Sequence, residues 1–455
     1  MGSPPEIGVP PGYPFILAIL LTLFGRTFVS AKIFSLGCYV VALWLWWKLF
    51  NRAGIEKRTA LAFLAFGVLN PVISEYSHWE ITEAPFMVIS SAAILFFFIS
   101  FEKDNNVNWL ITILLAAGAF YIRAAGITLS LAIIVGLLLR KNWRKAIVFS
   151  VAVGILILPW VIYILAMRDQ VGAGMYLPQF LSEAGTGEAF TVGSFLGKAL
   201  RNFERYAFVN LPSLFFPIAE QAFFRQMIFG YLIGGILLIL LIGGIVCTVR
   251  SQLILYGVYT VLYVLVLLAY SEQAAIVRYL VVVFPFIAIL FTKGITKMCS
   301  RLSVKRVSYC SFVMSIIFVL LTLPVYISAV SKNVPLLSAY LKGNHYAGYS
   351  INYVRFIEAN EWIGEHGVTS AGVISRKPRL TWWFSGHPAR NYLYNSDPHR
   401  VKADIDSSGA HYVLIDRISS TTPQFLIPAL QTAPQQFKVL FVTRRPETYV
   451  LEVMR

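Results

Sequence analysis

Charge, cysteine and histidine are all scarce in this chain of 455 residues. Only 13% of the residues are Asp, Glu, Lys or Arg. The four cysteines lie in or beside apolar runs, which excludes a disulfide framework and a CxxC metal site. Five of the six histidines are scattered through the last part of the chain without metal-ligand spacing, so we expect no zinc site. The residues concerned are Cys38, Cys247, Cys299, Cys310, His345, His366, His387, His399 and His411.

Long apolar runs dominate instead, and 57% of the residues are hydrophobic. Because the hydrocarbon core of a bilayer is about 30 Å thick, one helical crossing needs roughly 20 apolar residues. Ten segments approach that length, so we predict a polytopic α-helical membrane protein with about ten spanning helices. The segments are about 31–50, 59–77, 83–101, 107–122, 126–139, 145–166, 227–249, 253–270, 279–297 and 308–330.

Lys and Arg are concentrated in alternate loops, which the positive-inside rule assigns to the cytoplasm. Loops 74–82, 167–226 and 271–277 are poor in them and are predicted to face outward, as is the tail after residue 330. This bias accounts for most of the formal net charge of +16. Since no basic stripe is interleaved with aromatic residues, we expect no nucleic-acid partner. The cytoplasmic cations are Lys48, Arg52, Lys57, Arg58, Lys103, Arg140, Lys141, Arg144, Lys145, Arg250, Lys297, Arg301, Lys305 and Arg306.

The sequence predicts two domains that meet at about residue 330. Residues 1–330 form a transmembrane domain, whose outer loop 167–226 has the aromatic-rich helical patches of a segment packed on the membrane surface. Residues 331–455 alternate helix and strand patterns, which predicts a small soluble α/β domain with a partly parallel sheet. The loop patches are 195–208 and 218–229; the tail helices are 350–365, 377–384, 397–407 and 422–433; the strands are 371–375, 389–393, 411–416, 438–443 and 448–453.

An outward turn at 74–83 contains three carboxylates and an imidazole. Polar groups at the ends of spanning helices are costly and usually functional. A carboxylate here could act as general base on an acceptor hydroxyl or help to bind a divalent cation. The alternative is a solvated loop in which Glu83 is favoured by about 0.3–1 kcal/mol at a helix N-terminus. The four residues are Glu75, His78, Glu80 and Glu83.

Two arginines break the cytoplasmic bias by lying on the predicted outer side. Arg123 separates two apolar runs, and Arg278 opens a helix beside Tyr279. A guanidinium group at headgroup depth can donate charge-assisted hydrogen bonds to a phosphate. The alternative is snorkelling towards ordinary lipid phosphates. Together with the carboxylate turn, the two arginines indicate an anionic, phosphorylated ligand that arrives from the lipid.

Several short motifs occur in an order that resembles the GT-C superfamily of integral-membrane glycosyltransferases. The likeness is to the branch related to the dolichyl-phosphate-mannose protein mannosyltransferases and the aminoarabinose transferases. It covers most of the chain, including the α/β tail. The motifs are Pro10-Pro11-Gly12-Tyr13-Pro14, Leu23-Phe24-Gly25, Asn70-Pro71, Thr82-Glu83, Arg278-Tyr279 and Phe284-Pro285.

The resemblance implies transfer of a hexosyl or pentosyl group from a polyprenyl-phosphate donor to a lipid, glycan or protein acceptor. The reaction would take place at the outer face of a bacterial plasma membrane, with membrane lipids as further partners. Arg278, with Tyr279 and Arg123, would bind the donor phosphate. Glu83 would match the acidic position of the second outer loop, and Glu80 is a second catalytic candidate. A divalent cation could share the work, and the sequence leaves the cofactor undecided.

In that superfamily the main catalytic acid usually lies in a first outer loop, after an N-terminal helix and ahead of the Pro-Gly-Tyr-Pro stretch. Here residues 1–12 match neither a signal peptide nor a spanning helix. Residues 13–25 suit a short helix at the outer interface. Glu6 is the only acid ahead of Pro10 and is not an expected replacement. The expectation is therefore a shortened form, or one that has lost its general base.

Two other classes of function remain open. A transporter or flippase for a lipid-linked sugar would share the outer arginines, but it should show internal hydropathy repeats, which the sequence lacks. A catalytically inactive envelope protein would fit the missing first loop. In the tail, Trp382, Trp383 and Asp416 could line a carbohydrate site, although core packing or a strand-end turn is favoured for them.

Overall fold

The chain forms a bundle of apolar helices followed by a small mixed α/β unit. A computed structural model describes residues 9–25, 28–77, 79, 81–103, 105–171, 191–217, 228–249, 251–270, 276–299 and 304–454. The helices in the first part are α1 (Gly12–Phe24), α2 (Phe28–Arg52), α3 (Lys57–Leu69), α4 (Pro71–Ser74), α5 (Glu83–Lys103), α6 (Asn106–Ile122), α7 (Ile127–Leu139), α8 (Trp143–Val171), α9 (Val192–Arg205), α10 (Leu211–Phe215), α11 (Ile228–Thr248), α12 (Ile254–Ala269), α13 (Arg278–Val281), α14 (Phe284–Met298) and α15 (Val304–Leu341).

In their described residues, all ten predicted apolar segments are mainly helical, but they differ in length, and the segment predicted as one helix at 279–297 is interrupted at Val282–Val283. Within the described residues, five helices are long and apolar enough to cross a membrane, or six if one bent pair counts as a single span. The predicted count of about ten spans is therefore not confirmed. The five are Val29–Arg52, Glu83–Glu102, Trp143–Met167, Ile228–Thr248 and Val307–Leu341.

The bent pair is α3 and α4, which meet at 63°. Pro71 cannot donate a helical hydrogen bond and starts the new helix. The buried Asn70 caps it, since its Oδ1 accepts from Val72 N at 2.8 Å and its Nδ2 donates to Leu214 O at 2.7 Å. The segment predicted as one helix at 59–77 is thus broken, and the break directs the following turn towards the candidate site.

Close backbone contact holds the centre of the bundle together. A Cβ atom on Gly244 of α11 would lie 1.9 Å from Leu290 O, and one on Gly294 of α14 would lie 2.0 Å from Leu240 O. Small residues that let helices approach closely are typical of membrane helix pairs. Substituting either glycine would therefore push α11 and α14 apart.

Predicted cytoplasmic loops come together at one end of the bundle. Arg140 Nη2, after α7, donates to Gln252 O, before α12, at 2.7 Å. Arg52, at the end of α2, pairs with Glu102 near the end of α5. The starts of α5 and α13 and the end of α6 lie at the opposite end, where the outer residues were predicted. Which end faces the cytoplasm stays a prediction.

The described part of the predicted outer loop contains an amphipathic helix. Helix α9 begins with a capping box, in which Thr191 and Ser194 exchange hydrogen bonds. Its polar Lys198 and Asn202 are buried, whereas an apolar stripe is exposed. This is the pattern of a helix lying at a membrane surface. The stripe consists of Val192, Leu196, Leu200 and Phe203. Most of the second predicted patch, 218–229, lies outside the described residues.

The last helix of the bundle continues well beyond the predicted 308–330 segment. At 38 residues, α15 is roughly 57 Å long, nearly twice the thickness of a hydrocarbon core. It leads to a five-stranded sheet of order β2-β1-β3-β5-β4. The elements there are α16 (Ile351–His366), β1 (Val373–Ile374), α17 (Pro378–Ser385), β2 (Ala389–Arg390), α18 (Pro398–Ser407), β3 (Tyr412–Ile415), α19 (Ile427–Gln431), β4 (Phe437–Val442) and β5 (Tyr449–Val453).

The predicted partly parallel sheet is confirmed. Strand β1 pairs in parallel with β2 and β3, whereas β5 pairs antiparallel with β3 and β4. Successive strand residues point to opposite faces, so Val373 packs with α16 while Ile374 packs with α18 and α19. The sheet therefore has helices on both sides. The domain boundary at residue 330 stays a prediction.

Candidate functional site

A buried carboxylate between two arginines lies at the predicted outer end of the bundle. Glu83, the first residue of α5, has no solvent exposure. Arg123 Nη1 donates to its Oε1 at 2.9 Å, and Arg278 Nη2 donates to its Oε2 at 2.9 Å. Arg278 Nε also donates to Oε1. The structure thus brings together three predicted site residues that are far apart in the sequence.

The local backbone explains how the arginines reach Glu83. Arg123 follows the last residue of α6 in an extended conformation and precedes a single turn, 124–126. A Cβ atom on Gly126 would lie 2.4 Å from Ala119 O, so only glycine lets this turn fold back against α6. Arg278 is the first residue of the short helix α13. Both side chains therefore extend from helix ends towards the start of α5.

Aromatic rings enclose the arginines. The Arg123 guanidinium lies 4.7 Å from the centre of the Tyr279 ring, and that of Arg278 lies 5.9 Å from the centres of the Tyr279 and Tyr76 rings. Cation–π contacts of this kind hold guanidinium groups in place without neutralising them. Tyr279, predicted beside the donor phosphate, is part of this cluster.

The cluster carries excess positive charge. In the described part of the chain, the Glu83 carboxylate is the one that accepts hydrogen bonds from the two guanidinium groups, and both of its oxygens are engaged. The side chains of Arg123 and Arg278 are 15% and 26% exposed. Arginine donates from five N–H groups, so Arg278 still has donors to offer on its exposed side. The arrangement suits recognition of an anion that approaches from the outer surface.

Unpartnered phenols lie near the arginines, a feature that the sequence reasoning missed. The hydroxyls of Tyr206 and Tyr263 are buried and have no hydrogen-bond partner among the described residues. Both are close enough to Arg123 to interact with it electrostatically. The sequence could have indicated the Tyr263 hydroxyl, because Tyr256, Tyr259 and Tyr263 recur at helical spacing within the apolar run of α12.

An apolar groove lies between α7 and α8 and begins close to this cluster. Its volume is about 270 Å³. Its first residue, Ile127, comes four positions after Arg123, and the small Gly154 opens it on the α8 side. The lining residues are Ile127, Ser130, Leu131, Ile134, Ser150, Val153, Gly154, Ile157, Leu158 and Val161.

Of the other three candidates in the outward turn, Glu75 lies within the described residues. Glu80 and His78 lie outside the described residues, and Glu75 is exposed on the turn that follows α4. Across the described ranges, no group of three or more His, Cys, Asp or Glu side chains could hold a metal ion. The structure therefore assigns no ligands to the divalent cation that the sequence left undecided.

Comparison with known proteins gives a family match over the first part of the chain and a fold match over nearly all of it. Residues 8–165, which include Glu83 and Arg123, match the dolichyl-phosphate-mannose-protein mannosyltransferase family. No curated protein matches the chain by sequence. The fold is similar to that of ArnT from Cupriavidus metallidurans in the apo state, with a TM-score of 0.53, 13% sequence identity, and coverage of 98% of this chain and 88% of that chain. At 13% sequence identity, this similarity shows the fold alone.

Proposed function

We propose that this chain is an integral membrane protein of the GT-C superfamily and that it transfers a sugar from a polyprenyl-phosphate donor to an acceptor at the outer face of the membrane. The family match over residues 8–165 and the fold similarity support this proposal. The observation that carries the proposal is the Glu83–Arg123–Arg278 cluster. A lipid-linked donor must be met where lipid and water meet, and the cluster lies at the ends of apolar helices. Its chemistry suits a lipid phosphate.

The donor phosphate binds at the exposed side of Arg278, with Arg123 behind it. The Glu83 carboxylate neutralises one of the two guanidinium charges. The donor phosphate acts as the counter-ion for the other. The Tyr279 ring lies against both guanidinium groups. The phosphate therefore adds to an electrostatic site that is already formed.

The apolar groove between α7 and α8 accommodates the polyprenyl chain. The groove is lined almost wholly by apolar side chains and starts next to Arg123. A donor whose phosphate contacts the arginines can therefore lay its first isoprene units along α7. A water-soluble donor has no lipid chain and would not need an apolar groove beside the arginines.

Transfer proceeds as a displacement at the anomeric carbon of the sugar. The acceptor hydroxyl forms the new glycosidic bond as the bond to the phosphate oxygen breaks, and the lipid phosphate leaves with the electron pair. Arg278 and Arg123 stabilise the charge that develops on that oxygen, a contribution of the kind made by an oxyanion hole. The acceptor proton passes to a carboxylate of the outer turn.

The geometry favours a positioning role for Glu83 over the predicted role as general base. Both of its oxygens accept from arginines, and it is inaccessible to an acceptor. We therefore assign proton removal to the turn that precedes it, where Glu75 is exposed and Glu80 follows in sequence. Glu83 keeps the two guanidinium groups separated and oriented.

The test is sugar transfer from a labelled polyprenyl-phosphate donor in proteoliposomes. Arg278→Ala should lower kcat/KM at least about 100-fold, because a charge-assisted contact to the leaving phosphate is lost. Arg278→Lys should recover only part, since lysine cannot bridge Glu83 and the phosphate in one plane. Arg400→Ala, an arginine 73% exposed on α18, is the matched control. Equal turnover by Arg278→Ala and the control would overturn the proposal.

A further inference from the structure

The C-terminal α/β unit contains a cluster of polar and charged side chains that the proposed transfer reaction does not use. The cluster lies at the carboxyl ends of the three parallel strands. Ser375, Arg376 and Lys377 follow β1, Tyr392 and Tyr394 follow β2, and Asp416 to Thr421 follow β3. It includes Asp416, which the sequence placed at a strand end.

The topology makes this edge a natural binding crevice. From β1 the chain passes through α17 to β2 on one side, and from β2 it passes through α18, on the opposite face, to β3 on the other side. The strand order therefore reverses between β1 and β3. In open α/β sheets, ligands bind outside the carboxyl ends of the strands at the point where the order reverses.

Direct contacts join the three strand-end loops into one surface. Arg376 Nε, after β1, donates to Thr421 Oγ1 at 2.9 Å and to Ser419 Oγ at 3.3 Å, both after β3. Its guanidinium lies 5.3 Å from the centre of the Tyr394 ring, after β2. The Tyr392 hydroxyl lies 3.0 Å from Thr421 Oγ1. The crevice thus has a rigid frame of hydroxyl, phenol and guanidinium groups.

The crevice also has more positive than negative charge. Within the described residues, neither Arg376 nor Lys377 is within ion-pair distance of a carboxylate, although both interact electrostatically with Asp416. Burial and the neighbouring Arg376 lower the pKa of Lys377. Asp416 is 1% exposed, and its Oδ1 accepts from Ile418 N at 2.9 Å, so it braces the β3 loop from within. The two cations and the single buried carboxylate therefore leave a net positive charge at this edge of the sheet.

We propose that this crevice binds a phosphate group, carried either by a sugar phosphate or by a lipid headgroup, with Arg376 and Lys377 as its charged contacts. Serine and threonine hydroxyls on the β3 loop supply further donors. The inference does not depend on the proposed sugar transfer, because none of these residues belongs to the Glu83 cluster.

The experiment is hydrogen–deuterium exchange of the full chain in nanodiscs, read at peptides covering 373–380 and 416–422. One arm adds glucose 1-phosphate to phosphatidylcholine nanodiscs, and the other uses nanodiscs that contain phosphatidylglycerol and no soluble ligand. Both arms are compared with phosphatidylcholine nanodiscs without added ligand. Slower exchange than this reference in the first arm identifies a sugar phosphate, and slower exchange in the second arm identifies a headgroup. No slowing in either arm overturns the proposal.

Lys377→Gln is the decisive variant, since it removes one charge from a side chain that forms no hydrogen bond or close ion pair in the described region. Phosphate affinity should fall about tenfold, the effect of losing one charge-assisted contact. Lys438→Gln, exposed on β4 at the far edge of the sheet, is the matched control and should bind as the parent does. Protection that persists in Lys377→Gln at unchanged affinity would place the ligand elsewhere and contradict the proposal.

Discussion

Arg278 donates hydrogen bonds to both carboxylate oxygens of Glu83, although 195 residues separate them in the chain. Arg123 adds a third bond, at 2.9 Å. The start of α5 is thereby tied to the end of α6 and the start of α13. The same contacts that hold the helix ends together leave a positively charged surface at the predicted outer side.

Removing the carboxylate should destabilise the fold as well as the site. In Glu83→Gln, two partly buried guanidinium groups would face each other without a counter-charge, so we expect a loss of about 3 kcal/mol in the free energy of unfolding. Chemical unfolding in detergent measures this. Arg400→Gln breaks the exposed pair that Arg400 forms with Asp397 at the start of α18 and should cost about 0–1 kcal/mol. Equal losses in the two variants would show that the Glu83 contacts add no more than a surface pair.

Filling the apolar groove should make donor use depend on chain length. Gly154→Leu inserts a side chain into the groove, so KM for a long-chain polyprenyl donor should rise several-fold while a donor with two isoprene units is unaffected. The matched control is Gly37→Leu on α2, where an added Cβ meets nothing within 4 Å and which does not line this groove. The groove assignment fails if both donors respond alike.

Asn70 should contribute more to the stability of the fold than an ordinary helix cap does. Asn70→Ala loses the cap of α4 and the bond to Leu214, and leaves buried backbone groups unpaired, so we expect about 2–3 kcal/mol of destabilisation. Asn105→Ala removes an exposed cap on α6 and should cost about 1 kcal/mol. Thermal unfolding compares the two. A similar cost for both would mean that the contact with Leu214 contributes little.

Asp416 should make the stability of the C-terminal unit depend on pH. Burial raises the pKa of its carboxyl group in the folded chain. Its contribution is therefore complete below the unfolded pKa of about 3.9 and is lost as pH rises through the higher folded value. Asp416→Asn should flatten this decline in urea unfolding between pH 4 and 7. Glu365→Gln, on a side chain 75% exposed, should keep the parent's slope.

The helices of the bundle could be predicted from the sequence because apolar runs of the right length have few alternatives in a bilayer. The helices and strands of the tail could be predicted equally well, since residues such as Pro398 and Gly409 mark the ends of its alternating helix and strand patterns. The bend at Asn70–Pro71 was missed because one apolar run continues through it. Pro71 indicates a possible helix break, but the hydropathy pattern does not distinguish a bent helix from a straight one.

The contacts of the site could not be predicted in the same way. The sequence identified Glu83, Arg123 and Arg278 separately, because each is a charge at a helix end on the predicted outer side. Their pairing depends on how α5, α6 and α13 pack, which no local pattern encodes. A carboxylate seen alone suggests a general base, whereas the same group between two guanidiniums is a counter-ion.

The most direct test of the account is binding of polyprenyl phosphate to the purified chain, measured by native mass spectrometry. Arg278→Ala combined with Arg123→Ala should lose the bound lipid phosphate, while Arg400→Ala should retain it at the parent's occupancy. Retention of the lipid by the double variant, with the fold intact, would contradict the claim that this pair of arginines recognises a phosphate anchored in the membrane.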